Sequence, residues 1–358
     1  MAIFIDIFDD VTKFGKKIPT SEYLTTGKYP IIDQGQNHIS GYTDKEEGLF
    51  ENVPVVIFGD HTRVVKYIDK PFFLGADGVK VLKAKADDAN YKYLYYALSS
   101  ANIPDTGYNR HFKWLKEIDI PNHSIQEQKQ IVEELDKVSL LIEHRNQQLS
   151  KLDELVKARF IEMFGDQESN PFGWEQCTIG ECCTLKSGTS LSAEKENEGG
   201  PIPYVKVGDM NYPGNERYIT TSSRYVSEAT AGRGIFEVGS VLFPKRGGAI
   251  GTNKKRLTKL PICADLNIMG VSSNGALVPE YLFAYFEMID LGSLSDGSSV
   301  PQINNKNIVP LIITIPPIEL QNKFANFVKQ IDKSKFEVQQ SLEKLETLKK
   351  SLMQQYFG

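Results

Sequence analysis

Two turns in the first half of the chain place hydrogen-bonding side chains directly after apolar runs. They read "GDHTR" at residues 59–63 and "GYNRHFKW" at residues 107–114. Arg and Asn match the hydrogen-bonding edges of guanine and adenine, and each good pair contributes about 1–3 kcal/mol of discrimination. The alternative is a solvated turn whose polar side chains bond only to nearby backbone. The candidate nucleic-acid contacts in this half are Gln34, Gln36, His61, Arg63, Asn109, Arg110 and His111.

Two turns in the second half offer similar chemistry, "PKRGGAIGTNKKR" at residues 244–256 and "SSVPQINNKN" at residues 298–307. Glycine beside a basic pair lets backbone N–H groups approach a phosphate closely. A basic turn is often only a solvated loop, so the run at residues 254–256 favours contacts to the DNA backbone over base reading. The candidate contacts in this half are Lys206, Lys245, Arg246, Lys254, Lys255, Gln302, Asn304, Asn305 and Lys306.

The sequence has no recognisable catalytic or metal-binding motif. The nearest approach to a phosphate-binding loop, "GGAIGTNKK", fails the required spacing. His-Glu-x-x-His, Gly-x-Ser-x-Gly and Asn-Pro-Pro-aromatic motifs are absent, and the five histidines stand alone. The four cysteines fit neither a disulfide framework nor a zinc pattern, so reduced and partly buried thiols are expected. We therefore expect a chain that catalyses nothing by itself and binds no metal.

Composition is that of an ordinary soluble protein. Of the 358 residues, 41% are hydrophobic and 24% charged, and the formal net charge is −5. That charge argues against a protein that coats nucleic acid by bulk electrostatics, although it allows local basic loops. No apolar run approaches the roughly 18 residues that span a bilayer, and the N-terminus lacks the bases of a signal peptide. We expect about two domains, a cytoplasmic location and no membrane partner.

The loops must be held by a scaffold, and a repeated helix supplies one. The segment "QLSKLDELVKARFIEMFG" at residues 148–165 aligns without a gap with "SLEKLETLKKSLMQQYFG" at residues 341–358. Upstream of the first copy, Ser124 and Glu127 have the spacing of a capping box. Apolar residues recur every three or four positions, which predicts two coiled-coil helices of roughly 35–40 residues each. The predicted seam residues are Leu135, Val138, Leu149, Leu152, Leu155, Val328, Ile331, Leu342, Leu345 and Leu348.

Bulky residues near both helix ends widen the apolar face beyond a two-helix seam. They have two interpretations: they cap the helix pair against the opposite globular domain, or they form a docking surface for partner helices. The residues are Phe160, Met163, Phe164, Met353, Tyr356 and Phe357.

The segments before the helices repeat as well. "VVIFGDHTR" at residues 55–63 aligns with "SVLFPKRGG" at 240–248, and "YKYLYYAL" at 91–98 with "PEYLFAYF" at 279–286. We predict an α+β fold with pseudo-two-fold internal duplication, in which two similar globular domains are joined by two long coiled-coil helices. The predicted boundaries are globular domains at residues 1–122 and 175–316, helices at 123–165 and 317–358, and a linker at 166–174.

The order of motifs resembles a known family. The second half carries "YVKVGDM" (204–210), "RYITTSSRYVSEAT" (217–230), "FEVGSVLFPKRGGAIG" (236–251) and "YLFAYF" (281–286), followed by Ile-Pro, a Gln and the long helix. This succession resembles one target-recognition half of a type I restriction-modification specificity subunit. The first half is similar, with "YPIIDQGQ" in the place of "IPYVKVGD". The resemblance implies two target-recognition domains at opposite ends of two antiparallel helices, each reading one half of a split, asymmetric target in double-stranded DNA.

The same resemblance implies partners that perform the chemistry. Two methyltransferase (modification) subunits would bring S-adenosylmethionine and methylate adenine. Restriction subunits, with ATP and Mg, would translocate and cut DNA, and no cofactor is expected in this chain. The alternative is a non-DNA adaptor that scaffolds proteins through the coiled coil, and affinity that falls steeply with salt would favour DNA. A stand-alone nuclease or methyltransferase is disfavoured by the missing motifs.

Overall fold

The computed structural model describes residues 1–75, 78–107 and 109–358. The chain divides into two compact units, one formed by Met1–Gln147 with Gln339–Gly358 and the other by Gln148–Val338. Each unit therefore contains one globular domain and a part of both long helices. Within the described residues, no helix is long and apolar enough to cross a membrane.

The globular domain of the first unit consists of short strands, mostly antiparallel, and one longer helix. Its elements are β1 (Ala2–Ile3), α1 (Phe4–Ile7), β2 (Phe8–Asp10), β3 (Tyr29–Ile32), β4 (Gly41–Thr43), β5 (Val55–Gly59), β6 (Val65–Ile68), β7 (Phe73–Leu74), β8 (Val79–Ala84), α2 (Tyr91–Ser100), α3 (Phe112–Leu115) and β9 (Asp119–Ile120), and the long helix α4 (Ile125–Phe164) follows. The main sheet has the strand order β2-β8-β5-β6, and a smaller sheet has the order β4-β3-β7. In the smaller sheet β3 pairs with β7 in parallel.

The second unit repeats this plan. Its elements are β10 (Glu175–Thr178), α5 (Ile179–Cys182), β11 (Cys183–Ser187), β12 (Ile202–Val205), β13 (Tyr218–Ile219), β14 (Tyr225–Val226), α6 (Glu228–Ala231), β15 (Ile235–Phe236), β16 (Val241–Pro244), β17 (Arg256–Thr258), β18 (Ile262–Ala264), β19 (Ile268–Ser273), α7 (Pro279–Glu287), α8 (Asn305–Ile308) and β20 (Ile312–Ile315), and the long helix α9 (Ile318–Phe357) follows. The order β11-β19-β16-β17 matches β2-β8-β5-β6, and β12 pairs with β18 in parallel as β3 does with β7. The predicted duplication is confirmed at the level of strand topology.

Each main sheet is buried on both faces at its central strand, because alternate side chains of a strand point to opposite faces. In β5, Val56 and Phe58 join the cluster around α2, whereas Val55 and Ile57 join a second cluster on the other face. In β16, Phe243 packs with α7 and its neighbour Leu242 faces the opposite cluster. This burial explains the continuous apolar runs of β5 and β16, which precede the polar turns that begin at Asp60 and Lys245.

The two long helices run antiparallel within each unit. In the first unit Arg145 Nε donates to Ser341 Oγ at 3.2 Å, and Tyr356 donates to Glu134 Oε2 at 2.6 Å, so numbers rise along α4 as they fall along α9. In the second unit Lys335 Nζ lies 2.7 Å from Asp153 Oδ1, and further along α4 the ring of Phe160 lies 5.6 Å from that of Phe324, earlier in α9.

The capping box predicted at the start of α4 is present. Ser124 donates through its backbone N–H and its hydroxyl to Glu127 Oε2, at 2.8 and 2.7 Å. The Glu127 N–H in turn donates to Ser124 Oγ at 3.3 Å.

The predicted helix seam is wrong at Leu155 and Leu348, which are both 46% exposed. The positions i, i+3 and i+6 rotate by about 240° on an α-helix, so the third residue of such a series leaves the face of the first. The residue at i+7 returns to that face, and Val156 accordingly is buried one position after Leu155. Of the remaining predicted seam residues, Leu135, Val138, Val328, Ile331 and Leu342 are buried, and Leu149, Leu152 and Leu345 are half-buried.

The bulky residues at the helix ends cap the globular domains, which supports the first of their two interpretations. Phe160 and Phe164 belong to the core of the second unit, with Met163 packed against it. Met353, Tyr356 and Phe357 pack against the core of the first unit. The four cysteines are free, and three are buried, in agreement with the expected reduced thiols.

Candidate nucleic-acid interface

Three loops meet at one place in the first unit: the β3 loop (residues 33–37), the β5 loop (residues 60–64) and the α3 loop (residues 101–107 and 109–111). Gln34 joins the first two, because its Oε1 accepts the His61 backbone N–H at 3.1 Å and its carbonyl accepts the Thr62 hydroxyl at 2.5 Å. A Cβ added at Gly59 would lie 2.2 Å from Thr62 Oγ1, and one at Gly78 would lie 2.5 Å from Gln34 Nε2. The two glycines therefore allow this close packing, and Gln34 acts as a connector between loops.

Asp60 joins the β5 loop to the start of α3. Its carboxylate accepts the Phe112 backbone N–H at 2.8 Å, and its carbonyl accepts the His111 backbone N–H at 2.7 Å. The His111 ring also lies with Nδ1 3.0 Å from that carbonyl. His111 is 1% exposed, so its prediction as a DNA contact is corrected: the side chain holds two loops together inside the domain. Asp60 was not among the predicted site residues, although the "GDHTR" motif contains it.

Arg63 is positioned by the α3 loop. Its Nη2 lies 2.7 Å from Asp105 Oδ2 and its Nη1 donates to the Ile103 carbonyl at 3.2 Å. A backbone hydrogen bond from Gly107 and the charge of Arg63 lower the pKa of Asp105. The Arg63 backbone is left-handed, with φ of +61°, a conformation that non-glycine residues adopt mainly at turns and functional sites.

Apart from His111 and the connector Gln34, the predicted residues of the first unit lie on these three joined loops. His61 Nδ1 lies 3.2 Å from the Asn109 carbonyl, which places His61 beside the α3 loop. Gln36, Asn109 and Arg110 are exposed, and His61 and Arg63 are half-buried. We call these five residues the first loop surface. Tyr108, inside the "GYNRHFKW" motif, lies outside the described residues.

The second unit joins its two polar loops in the same way. The β16 loop comprises residues 245–255, and the α8 loop residues 298–304. The Ile303 N–H donates to the Lys245 carbonyl at 2.9 Å, as the His111 N–H does to that of Asp60. Arg246 and Gln302 form a β-bridge beside this bond. We call the predicted residues brought together here the second loop surface: Lys245, Arg246, Gln302, Asn304, Asn305 and Lys306.

These residues differ in how far they are free to contact a ligand. Arg246 is exposed, whereas Lys245 Nζ donates to Ser187 Oγ at 2.8 Å. Asn304 is used as the N-cap of α8, in a capping box with Asn307. Asn305 and Lys306, in the first turn of α8, are exposed.

Lys255 does not reach any surface. It is 2% exposed, and its Nζ donates to Asn253 Oδ1 at 2.8 Å and to the Ile289 carbonyl at 2.7 Å. Burial lowers its pKa. Its prediction as a DNA contact is therefore corrected, because its side chain lies inside the domain at the start of β17.

Two other predicted lysines are half-buried and already paired. Lys206 Nζ lies 2.6 Å from Glu196 Oε2, and Lys254 Nζ contacts Asn211 Oδ1. Across the described parts of both units, no group of three or more His, Cys, Asp or Glu side chains is placed to hold a metal ion.

The family model described as "Type I restriction modification DNA specificity domain" matches residues 6–154 and again residues 171–349. The chain belongs to this family of specificity domains. Two matches in one chain agree with the duplicated topology. The family is that of the non-catalytic DNA-recognition subunit, so this is a type I restriction-modification specificity subunit and carries no catalytic function of its own.

Known proteins of type I systems resemble this chain over most of its length. The chain is 22% identical over 353 residues to the EcoR124I/EcoR124II type I restriction enzyme specificity subunit of Escherichia coli, covering 90% of this chain and 85% of that subunit. The S subunit of a type I system from M. genitalium has a similar fold, with a TM-score of 0.57 and 20% identity over 99% of this chain and 95% of that one. A structure from work on complex assembly and conformational transition of the type I R-M system gives a TM-score of 0.55, 16% identity, and coverage of 99% and 95%.

Proposed function

We propose that this specificity subunit reads a bipartite, asymmetric target in double-stranded DNA, with one half-site contacted by each loop surface. The observation that carries the proposal is the repeated joint between two polar loops: the His111 N–H bonds to the Asp60 carbonyl, and the Ile303 N–H to the Lys245 carbonyl. At both joints the chain presents exposed Arg or Asn side chains, the types that read guanine and adenine. A duplicated scaffold thus holds two recognition surfaces of equivalent construction.

The two surfaces carry different side chains, and we therefore propose that they read different sequences. The first presents Asn109 and Arg110 beside His61. The second presents Arg246 next to Gly247 and Gly248, and Asn305 with Lys306. Among these, Arg110, Arg246 and Asn305 are exposed and of the residue types that pair with base edges, and Lys306 is of a type suited to a phosphate.

Assembly with other subunits of the restriction-modification system follows from the family, and we propose two methyltransferase subunits and restriction/translocase subunits as the partners. S-adenosylmethionine, ATP and Mg would then be held by those partners, in the cytoplasm. The repeated helices α4 and α9 would offer each methyltransferase subunit an equivalent binding face, because the duplication makes the two faces similar.

The test is to map methylated adenines genome-wide by single-molecule sequencing in a host that lacks other methylation. The chain is expressed with a modification subunit of its own system, and the control strain expresses the modification subunit alone. The expected result is one split motif, with two unlike half-sites around a fixed spacer, that appears only with the chain. A purified complex that modifies no motif and binds DNA without salt dependence would overturn the proposal.

A further inference from the structure

A buried lysine holds the β3 loop of the first unit. Lys66, in β6, is 4% exposed, and its Nζ donates to the carbonyls of Asp33 at 2.8 Å and Asn37 at 2.5 Å. The Asp33 carboxylate lies 3.8 Å from the same Nζ. One ammonium group therefore ties the first residue of the loop to the last. Burial lowers the pKa of Lys66, as expected for an amine removed from water.

A half-buried arginine contacts the corresponding loop of the second unit. Arg256, the first residue of β17, donates through Nε and Nη2 to the Met210 carbonyl at 3.2 and 2.8 Å. Met210 lies in the β12 loop (residues 206–211), which follows the parallel-paired strand β12 as the β3 loop follows β3. The Nη1 of Arg256 donates to its own neighbour's carbonyl, at Lys255, at 2.7 Å.

The two cations occupy the same place in the duplicated topology. Lys66 is opposite Ile57 of β5, and Arg256 is opposite Leu242 of β16. Those two partners coincide when "VVIFGDHTR" is aligned with "SVLFPKRGG". The carbonyls that accept the bonds also coincide, since Asn37 and Met210 are each the fifth residue after their strand ends.

Each held loop contacts a loop that carries predicted DNA contacts. In the first unit, Gln34 of the β3 loop accepts the His61 N–H of the β5 loop. In the second unit, Asn211 of the β12 loop contacts Lys254 of the β16 loop. Each cation is thereby connected, through one loop, to a loop that contributes residues to the loop surface of its own unit: the β5 loop in the first unit and the β16 loop in the second.

We infer that Lys66 and Arg256 are equivalent positioning residues for target specificity, each fixing the recognition loops of its own half-site. This inference rests on the proposed function. The role does not require either side chain to touch DNA. It requires a donor for the loop carbonyls, because a carbonyl that loses its partner costs free energy and lets the loop adopt another conformation.

The experiment uses the full chain with its modification subunit and compares Lys66→Met with Arg256→Met in genome-wide methylation maps. Methylation of sites with one mismatch in one half-site is expected to rise about tenfold, relative to matched sites, in Lys66→Met. The other half-site keeps its discrimination. Arg256→Met is expected to raise methylation of sites that carry a mismatch in the other half-site.

Matched controls separate positioning from general stability. Lys83→Met removes a lysine that donates to the carbonyls of Asn52 and Pro54, at 3.2 and 3.1 Å, in the same unit. Lys186→Met removes one that donates to the carbonyls of Arg233 and Ile235 in the second unit. Both controls are expected to leave discrimination at both half-sites unchanged.

Conservative variants give the second readout. Arg256→Lys and Lys66→Gln keep a donor, and each is expected to restore most of the discrimination lost in the corresponding Met variant. If Lys66→Met is insoluble, Arg256→Met and Arg256→Lys carry the test in the second unit. Equal relaxation of both half-sites, an unchanged motif, or the same relaxation in the controls would overturn the inference. A wild-type chain that directs no split motif would instead overturn the proposed function.

Discussion

The ring of Phe357 lies against that of Tyr93, with 5.3 Å between their centroids, and the ring of Phe164 lies against that of Tyr281 at 4.8 Å. The two pairs are equivalent. Phe164 and Phe357 coincide in the helix repeat, and Tyr93 and Tyr281 coincide when the helices α2 and α7 are aligned. The end of each long helix thus packs on the equivalent helix of a globular domain, α7 for α4 and α2 for α9. This packing explains why the helix repeat extends to the phenylalanine.

Removing either phenylalanine is expected to destabilise its own unit. Phe164 is fully buried, and Phe164→Ala is expected to cost about 3–5 kcal/mol from the lost contacts and the cavity. Phe357 is half-buried, so Phe357→Ala should cost less. Hydrogen exchange measures both: protection in α7 should fall in Phe164→Ala, and protection in α2 in Phe357→Ala. Loss of protection that is the same in both helices for either variant would contradict the equivalence.

The capping box at the start of α4 predicts a pH dependence. The hydroxyl and N–H of Ser124 lower the pKa of Glu127 below its ordinary value of 4.5. A lowered pKa contributes stability that is present above the unfolded-state value and is lost as the pH falls through the folded-state value. Ser124→Ala is expected to cost about 1 kcal/mol at pH 7, and the difference from wild type should shrink as the pH falls below 4.5. Urea unfolding at pH 7 and at acid pH measures the cost of Ser124→Ala. In a Glu127→Gln background, where residue 127 cannot ionise, that cost should no longer depend on pH.

Periodicity and repetition made the architecture predictable, because they record which faces are buried. The 3.6-residue period gave both long helices, and the alignment of the two halves gave the duplicated domains. The same period, applied strictly, also accounts for the error at Leu155: the residue seven positions after Leu149, which is Val156, returns to the face of Leu149, whereas Leu155 does not.

The candidate site was predictable only to the level of loops. Residue types singled out the turns, which the structure joins within each unit, but did not indicate that they lie together or which side chains point outward. In the run at residues 254–256, Lys255 and Arg256 both point into the domain, one to the Ile289 carbonyl and one to that of Met210. A buried cation that satisfies carbonyls has the same sequence signature as an exposed one. For the same reason, His111 was wrongly predicted to contact DNA.

The ion pair between Arg63 and Asp105 is expected to limit the affinity of the first loop surface for DNA. Asp105→Asn removes a negative charge that is 2.7 Å from Arg63 Nη2 and leaves the arginine available to phosphate. We expect the Kd for DNA to fall several-fold at low salt and the slope of log Kd against log salt to steepen by about one. Fluorescence anisotropy at several salt concentrations measures both quantities.

The matched control is Glu133→Gln, which makes the same charge change on α4, where Glu133 pairs with Lys137 at 2.6 Å. Its salt slope should equal that of the wild type. If the two variants gained affinity equally, net charge rather than release of Arg63 would explain the effect.

Asp60 gives the sharpest test of the joint between the β5 loop and α3, because the second unit makes its joint from backbone atoms alone. Asp60 is 5% exposed and its carboxylate satisfies the buried Phe112 N–H at 2.8 Å. Asp60→Leu leaves that N–H without a partner, which costs about 1–3 kcal/mol, whereas Asp60→Asn keeps an acceptor oxygen and should be tolerated. The free energies of unfolding of the two variants, measured in urea, should differ by about 1–3 kcal/mol. In methylation maps, Asp60→Leu should weaken discrimination at one half-site, and Asp60→Asn should weaken it at neither. Equal stability of the two variants would mean that the N–H finds water, and that the loops are held by the His111 bond to the Asp60 carbonyl instead.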